Sequence, residues 1–170
     1  MSFRFEQHDP ETYRRKAKMI SLAMAGQLIV LGLVFSQLLQ AAFDGGFWLN
    51  LVGVLLGLLA TSMTFAVLRE RPWMTEMRYV WQLKHYLSRV SGYLPALRRA
   101  VEEGNGTALA ILSFYHQGMA QLAELNGRTL DDDAELLAER QKVRIARQEQ
   151  GLPETVDGFD PQDLAAFKRG

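Results

Sequence analysis

Residues 19–43, MISLAMAGQLIVLGLVFSQLLQAAF, and residues 47–68, FWLNLVGVLLGLLATSMTFAVL, contain no charged side chain and are separated only by Asp44, Gly45 and Gly46. At ~1.5 Å of rise per helical residue they reach roughly 37 and 33 Å, more than the ~30 Å hydrocarbon layer of a bilayer. The pair therefore reads as a transmembrane hairpin. A cleaved signal peptide is the competing reading of the first stretch, but its apolar core runs only about 7 to 15 residues. Residues 19–43 are longer, and a second span follows almost at once, so the first stretch reads as an uncleaved anchor.

Charge sets the expected threading. Arg4, Arg14, Arg15, Lys16 and Lys18 lie in a basic N-terminal segment, 1–18, and Arg69 and Arg71 follow the second span, whereas the turn carries only Asp44. The positive-inside rule then places both termini in the cytoplasm and only the hairpin tip outside. Phe43, Phe47 and Trp48 are expected at the outer interface, with Tyr13 and Trp73 at the inner one.

A short turn forces the spans antiparallel, pairing positions whose numbers sum to about ninety. Asn50, Gly53, Gly57, Ala60 and Thr64 recur at helical spacing and form a shallow groove with a small-xxx-small pair. Gly26, Val30, Leu33, Gln37 and Gln40 are the expected partners on the first span. This register sets Gln40 beside Asn50 and Gln27 near Thr64, so that buried amides pair. Ala25, Gly32 and Ser36 are left on another face, as an expected contact for a second copy. None of these polar groups is ionisable, which argues against a proton relay or transport path.

Overall the chain carries 19 basic and 19 acidic residues and no cysteine. The balance conceals segregation: bases crowd residues 69–101, while acids outnumber bases from Leu130 onward. Residues 69–150 are expected to form one cytosolic helical domain, with helices over 72–102, 107–125 and 130–149, followed by a flexible tail, 151–170. In the first helix Val80, Leu83, Leu87, Val90, Leu94, Leu97 and Val101 alternate by three and four. Gly92 and Pro95 interrupt that stripe, so the helix must kink or divide there. Gly104-Asn105-Gly106 is a turn, Asn105 or Thr107 caps the next helix, and Asn126-Gly127 ends it. Folding back about the turn matches Leu97 with Leu112, Leu94 with Tyr115, Val90 with Met119 and Leu87 with Leu122. The expected fold class is thus all-α: a two-helix transmembrane hairpin, then a cytosolic antiparallel helical hairpin and a third helix.

Thr129 and the run Asp131, Asp132 and Asp133 suit the start of that third helix rather than a metal site. Three neighbours on a helix point in three directions, whereas a calcium loop spaces its oxygen ligands. There is no glycine-rich phosphate loop, no nucleophile elbow and no helical histidine pair. His8, His85 and His116 lie in separate elements and read as ordinary packing or surface residues. No cofactor, metal, nucleic acid or small-molecule substrate is indicated.

Met74-Thr75-Glu76, Tyr79-Val80-Trp81-Gln82-Leu83-Lys84, Ile111-Leu112, Phe114-Tyr115, Gly118, Gln121-Leu122 and Glu124-Leu125 resemble the pattern of an uncharacterised gammaproteobacterial membrane family, domain of unknown function 3087. The likeness runs from about Tyr13 to Leu137 and leaves out the tail after Gly151. It implies a bacterial inner-membrane protein with two spans and a helical cytosolic region, and it brings no catalytic residues. The expected role is a non-enzymatic anchor or scaffold whose partner is another membrane protein or a second copy. The alternative is an anionic-lipid sensor in which Arg69, Arg71, Arg78 and Lys84, with Arg89, Arg98 and Arg99, lie against headgroups at about 1 kcal/mol per nearby charge.

Overall fold

The computed structural model describes residues 2–43, 46–129 and 134–167. Among them are six α-helices: α1 (Pro10–Ala42), α2 (Phe47–Leu68), α3 (Thr75–Ser91), α4 (Leu94–Glu102), α5 (Gly106–Leu125) and α6 (Ala134–Glu149). Two strands of two residues, β1 (Phe3–Arg4) and β2 (Gly158–Phe159), and 3-10 turns at Pro72–Met74 and Asp163–Phe167 complete the order. The turn residues Asp44 and Gly45, and the acids Asp131 to Asp133, lie outside the described residues.

Contacts divide the chain into two units, residues 12–78 and residues 1–11 with 79–170. The first is the α1–α2 hairpin. Its helices begin and end where local chemistry allows: Pro10, which lacks an amide hydrogen, opens α1, and the backbone leaves α2 just before Pro72. The basic segment 1–18 is therefore not one element, since it contains β1 and its bases at 14–18 belong to the first turns of α1. The hairpin is turned inside out relative to a soluble core. Only 6% and 17% of the most apolar windows of α1 and α2 are buried, and Ile29, Leu33, Leu59 and Val67 face outward. Both helices are long and apolar enough to cross a membrane.

The second unit is built around α5. Its buried residues include Leu109, Ile111, Leu112, Phe114, His116, Gly118 and Leu125, which occupy more than one face of the helix. Elements pack around it rather than along one stripe. The chain divides at Gly92 and Tyr93: α3 stops at Ser91, and Pro95 sits in the first turn of α4. The Asn105 side chain caps α5 by accepting from the Ala108 amide at 3.0 Å. Gly127 ends α5 with a positive φ of 68°, and the Arg128 amide donates back to the Ala123 carbonyl at 2.8 Å. That bond recovers a carbonyl the helix itself leaves unpaired.

The flexible tail expected over 151–170 is corrected, over its described residues 151–167, by their packing. β2 pairs antiparallel with β1, joining Phe3 to Phe159 and Arg4 to Gly158. Phe159 stacks on Phe114 with ring centroids 4.7 Å apart, while Phe3 meets Tyr79, Tyr86 and Phe114 at 5.4 to 5.6 Å. Phe3, Phe159 and Leu164 are all buried. Aromatic side chains bury large areas and favour these offset and edge-to-face geometries, so a few of them anchor a segment that is polar elsewhere.

Candidate functional site

In the hairpin, small residues set the distance between helices. A methyl group placed on Gly53 would lie 2.6 Å from the backbone of Ser36, and one on Gly57 would lie 2.7 Å from the backbone of Gly32. Only glycine fits at either position. The Asn50 side-chain oxygen accepts from both Ser36 and Gln40, and Gln27 donates to Thr64 Oγ1 at 2.8 Å. Ala60 contributes its carbonyl, which accepts from Thr64 Oγ1 at 3.0 Å. The sum-of-ninety register thus places Gln40 at Asn50 and Gln27 at Thr64. The face assigned to α1 is different. Gly32 and Ser36 point into the seam, while Gly26, Val30, Leu33 and Gln37 are exposed. A bulky face would hold the backbones apart, so glycine lies against glycine and serine. The proposed small face for a second copy, with Gly32 and Ser36, is used up inside the hairpin. Tyr13, expected at an interface, is buried.

In the helical unit Leu87, Val90, Leu97 and Leu112 are buried, whereas Leu94, Tyr115, Met119 and Leu122 are only half-buried. The expected match of Leu87 with Leu122 is displaced by a turn. A methyl group on Gly118 would lie 2.8 Å from Leu87 Cδ2 and 3.1 Å from Leu83 Cδ1, so the leucines nest on the glycine. Tyr79 donates to Gln121 Oε1 at 2.7 Å, and burial pushes its phenol upward from the ordinary value. The break at Gly92 and Tyr93 is the cause, because it removes residues from the helical count between Leu87 and Leu97.

Of the basic residues, Arg69, Arg71, Arg78 and Lys84 are exposed. Arg98 is not available to a lipid surface. Its Nε and Nη2 donate to both oxygens of Glu139 at 2.6 and 2.9 Å. This fork holds the Glu139 carboxyl below its usual range and raises the Arg98 guanidinium.

Behind that pair sits His116, only 2% exposed. Its Nε2 lies 3.5 Å from Glu139 Oε2, too long for a well-formed hydrogen bond, and neither ring nitrogen has a hydrogen-bond partner among the described residues. Burial lowers the imidazole pKa. Glu139 opposes that effect, and Arg140 and Arg98 reinforce it. His116 lines a cleft of about 360 Å³ between α5, α6 and residues 154–155, together with Ser113, Gln117, Arg140 and Arg144. The third wall is tied down. Buried Arg147 donates from Nε to the Pro153 carbonyl at 2.7 Å, while the Gln117 amide both donates to and accepts from the Val156 backbone at 3.2 Å.

Spacing did not point to this cluster, because Arg98, His116 and Glu139 come from three helices and each is unremarkable alone. A second cleft of about 250 Å³ is lined by Arg4, Asp157, Asp160 and Asp163 beside β1 and β2. Among the described residues, no group of three or more metal-ligating side chains is gathered.

The model of the family described as "Protein of unknown function (DUF3087)" matches residues 3–164. The chain belongs to the DUF3087 family. The match is wider than the span from Tyr13 to Leu137, taking in β1, β2 and Leu164, so the aromatic closure of the helical unit lies within the DUF3087 domain. No curated protein and no solved structure matches the chain.

Proposed function

We propose that this DUF3087 protein is a non-enzymatic anchor or scaffold of the bacterial inner membrane, crossing it twice with both termini in the cytoplasm. The outward-facing leucines and valines of α1 and α2 support the crossing, and the bases at both ends of the hairpin support the orientation. The observation that carries the scaffold reading is Trp81. It is 68% exposed on α3, while Tyr79, Val80, Leu83, Leu87 and Val90 of the same helix are buried. Its ring stacks beside His85 at 6.3 Å. An indole left on a folded surface is the kind of side chain that becomes an interface anchor, because it adds a large area at little conformational cost. A photo-crosslinking residue at position 85, beside Trp81 and exposed, should capture a protein partner in intact membranes, and adding Trp81→Ala should abolish capture with an unchanged melting temperature. Capture of lipid alone, with no protein adduct, overturns the reading.

The second reading is an anionic-lipid sensor. It is favoured by the exposure of Arg14, Arg15, Lys18, Arg69, Arg71 and Arg78, all in the hairpin unit and beyond its apolar stretches. Juxtamembrane bases are attracted to anionic headgroups and are screened by salt. Protease protection of the protein in nanodiscs that does not vary with anionic lipid content or salt removes this option.

A further inference from the structure

We propose that the cleft between α5, α6 and residues 154–155 binds the phosphate group of a small soluble anion, with Arg140 and Arg144 as its charged clamp and His116 as its buried polar contact. Arg140 and Arg144 stand four residues apart on α6, the spacing that puts two side chains side by side on one helical face. Neither makes an ion pair or hydrogen bond with another described residue. Two planar guanidinium forks offer paired donors that match the oxygens of a phosphate, and they do so with fixed charge. Glu154 lies at the exposed mouth as the opposing charge.

The floor supplies the second, independent observation. The His116 ring is buried, lines the cleft and leaves both nitrogens without hydrogen-bond partners among the described residues. Such a group costs free energy until something bonds to it, and because both nitrogens are covered, an oxyanion held by the two arginines would accept from its N–H only after a small shift of the lining side chains. Glu139 does not satisfy it: its Oε2 stands 3.5 Å from the ring, and both of its oxygens already accept from Arg98. The wall carrying Thr155 is held by Arg147 and Gln117. At about 360 Å³ it falls at the small end of the range for small-molecule sites, which suits a compact phosphorylated compound rather than a polymer. This inference stands apart from the scaffold and lipid readings, because it concerns neither Trp81 nor the hairpin.

The test uses the full chain in nanodiscs of uncharged phosphatidylcholine, titrated with inorganic pyrophosphate. Binding should be saturable below millimolar concentration, should move the His116 imidazole signal in the magnetic resonance spectrum and should raise that group's apparent pKa. R140A/R144A should weaken binding at least tenfold with an unchanged melting temperature in the absence of anion, since both side chains are exposed. R140K/R144K should recover part of the affinity. No saturable binding at millimolar pyrophosphate overturns the proposal, as does binding that survives R140A/R144A. A His116 response seen only when phosphatidic acid is built into the nanodisc, and never with pyrophosphate, overturns the soluble source.

Discussion

The hairpin and the helical unit solve the same packing problem with opposite materials. In the hairpin, contact is made by taking side chains away: Gly53 and Gly57 bring the α2 backbone onto Ser36 and Gly32, and the large residues are left facing out. In the helical unit, contact is made by filling space, with Phe159 stacked on Phe114, Phe3 edge-on to Phe114 and leucines nested on Gly118. The contrast matches the composition of α1 and α2, which are long and apolar enough to cross a membrane. Where water is the solvent, burying a large ring is favourable in itself; where lipid is the solvent, a leucine gains little by moving inward, and close backbone approach with paired amides decides the seam.

The largest expected effect lies on the filled side. Phe114→Ala removes a fully buried ring and should cost ~3–5 kcal/mol in chemical denaturation of the helical unit, and limited proteolysis should then cut between Gly151 and Asp157. Equal resistance to protease would mean that the C-terminal segment is held without the aromatic stack. The emptied side breaks by the reverse operation. Gly57→Leu adds volume where only a hydrogen fits and should cost ~1–3 kcal/mol. Disulfide capture between cysteines at positions 27 and 64 should fall with it, while the melting of the helical unit stays unchanged.

Acid should act on the helical unit through His116 and Glu139. The unfolded His116 imidazole takes up its proton near pH 6.5, whereas the buried ring does so only at lower pH. Between those values the unfolded state binds more protons, so stability falls as pH drops below about 6.5 and levels off once the folded ring is charged. Glu139, depressed by Arg98, contributes stability that is full above about pH 4.5 and disappears as pH falls through its lower folded value. His116→Leu should therefore flatten the upper part of the profile and leave the lower part, as read from melting temperatures between pH 7 and 4. The smallest effect belongs to Asn50→Ala. Losing a membrane hydrogen bond costs about 0.6 kcal/mol on average, so the hairpin should persist with a measurable loosening of its register.

The two apolar runs of the hairpin were readable in sequence, because an uncharged run and a helical repeat of glycines are one-dimensional signals, but the start of α1 at Pro10, nine residues before the uncharged run, was not. Which face of α1 meets α2 was not, since Gly32 and Ser36 compete with Gln37 and Val30 on size, and only the distance between backbones settles the choice. In the helical unit the break at Gly92 and Pro95, the Asn105 cap and the stop at Gly127 were all local chemistry and all readable. The stripe of Tyr115, Met119 and Leu122 misled because α5 is wrapped on several sides, and a helix buried all round has no single face to find. The pairing of Phe3 with Phe159 carried no signal: each strand has two residues, too few for alternation to show. The cluster of Arg98, His116 and Glu139 was invisible for a related reason, since its members are brought together by three helices.

That strand pairing also dictates a timetable. The helical unit is discontinuous, with the whole α1–α2 hairpin inserted between Glu11 and Tyr79. During synthesis Phe3 emerges before the inserted hairpin, and its partner Phe159 only after it. Both apolar helices are therefore complete before the aromatic cluster can close, because that cluster joins residues on either side of them.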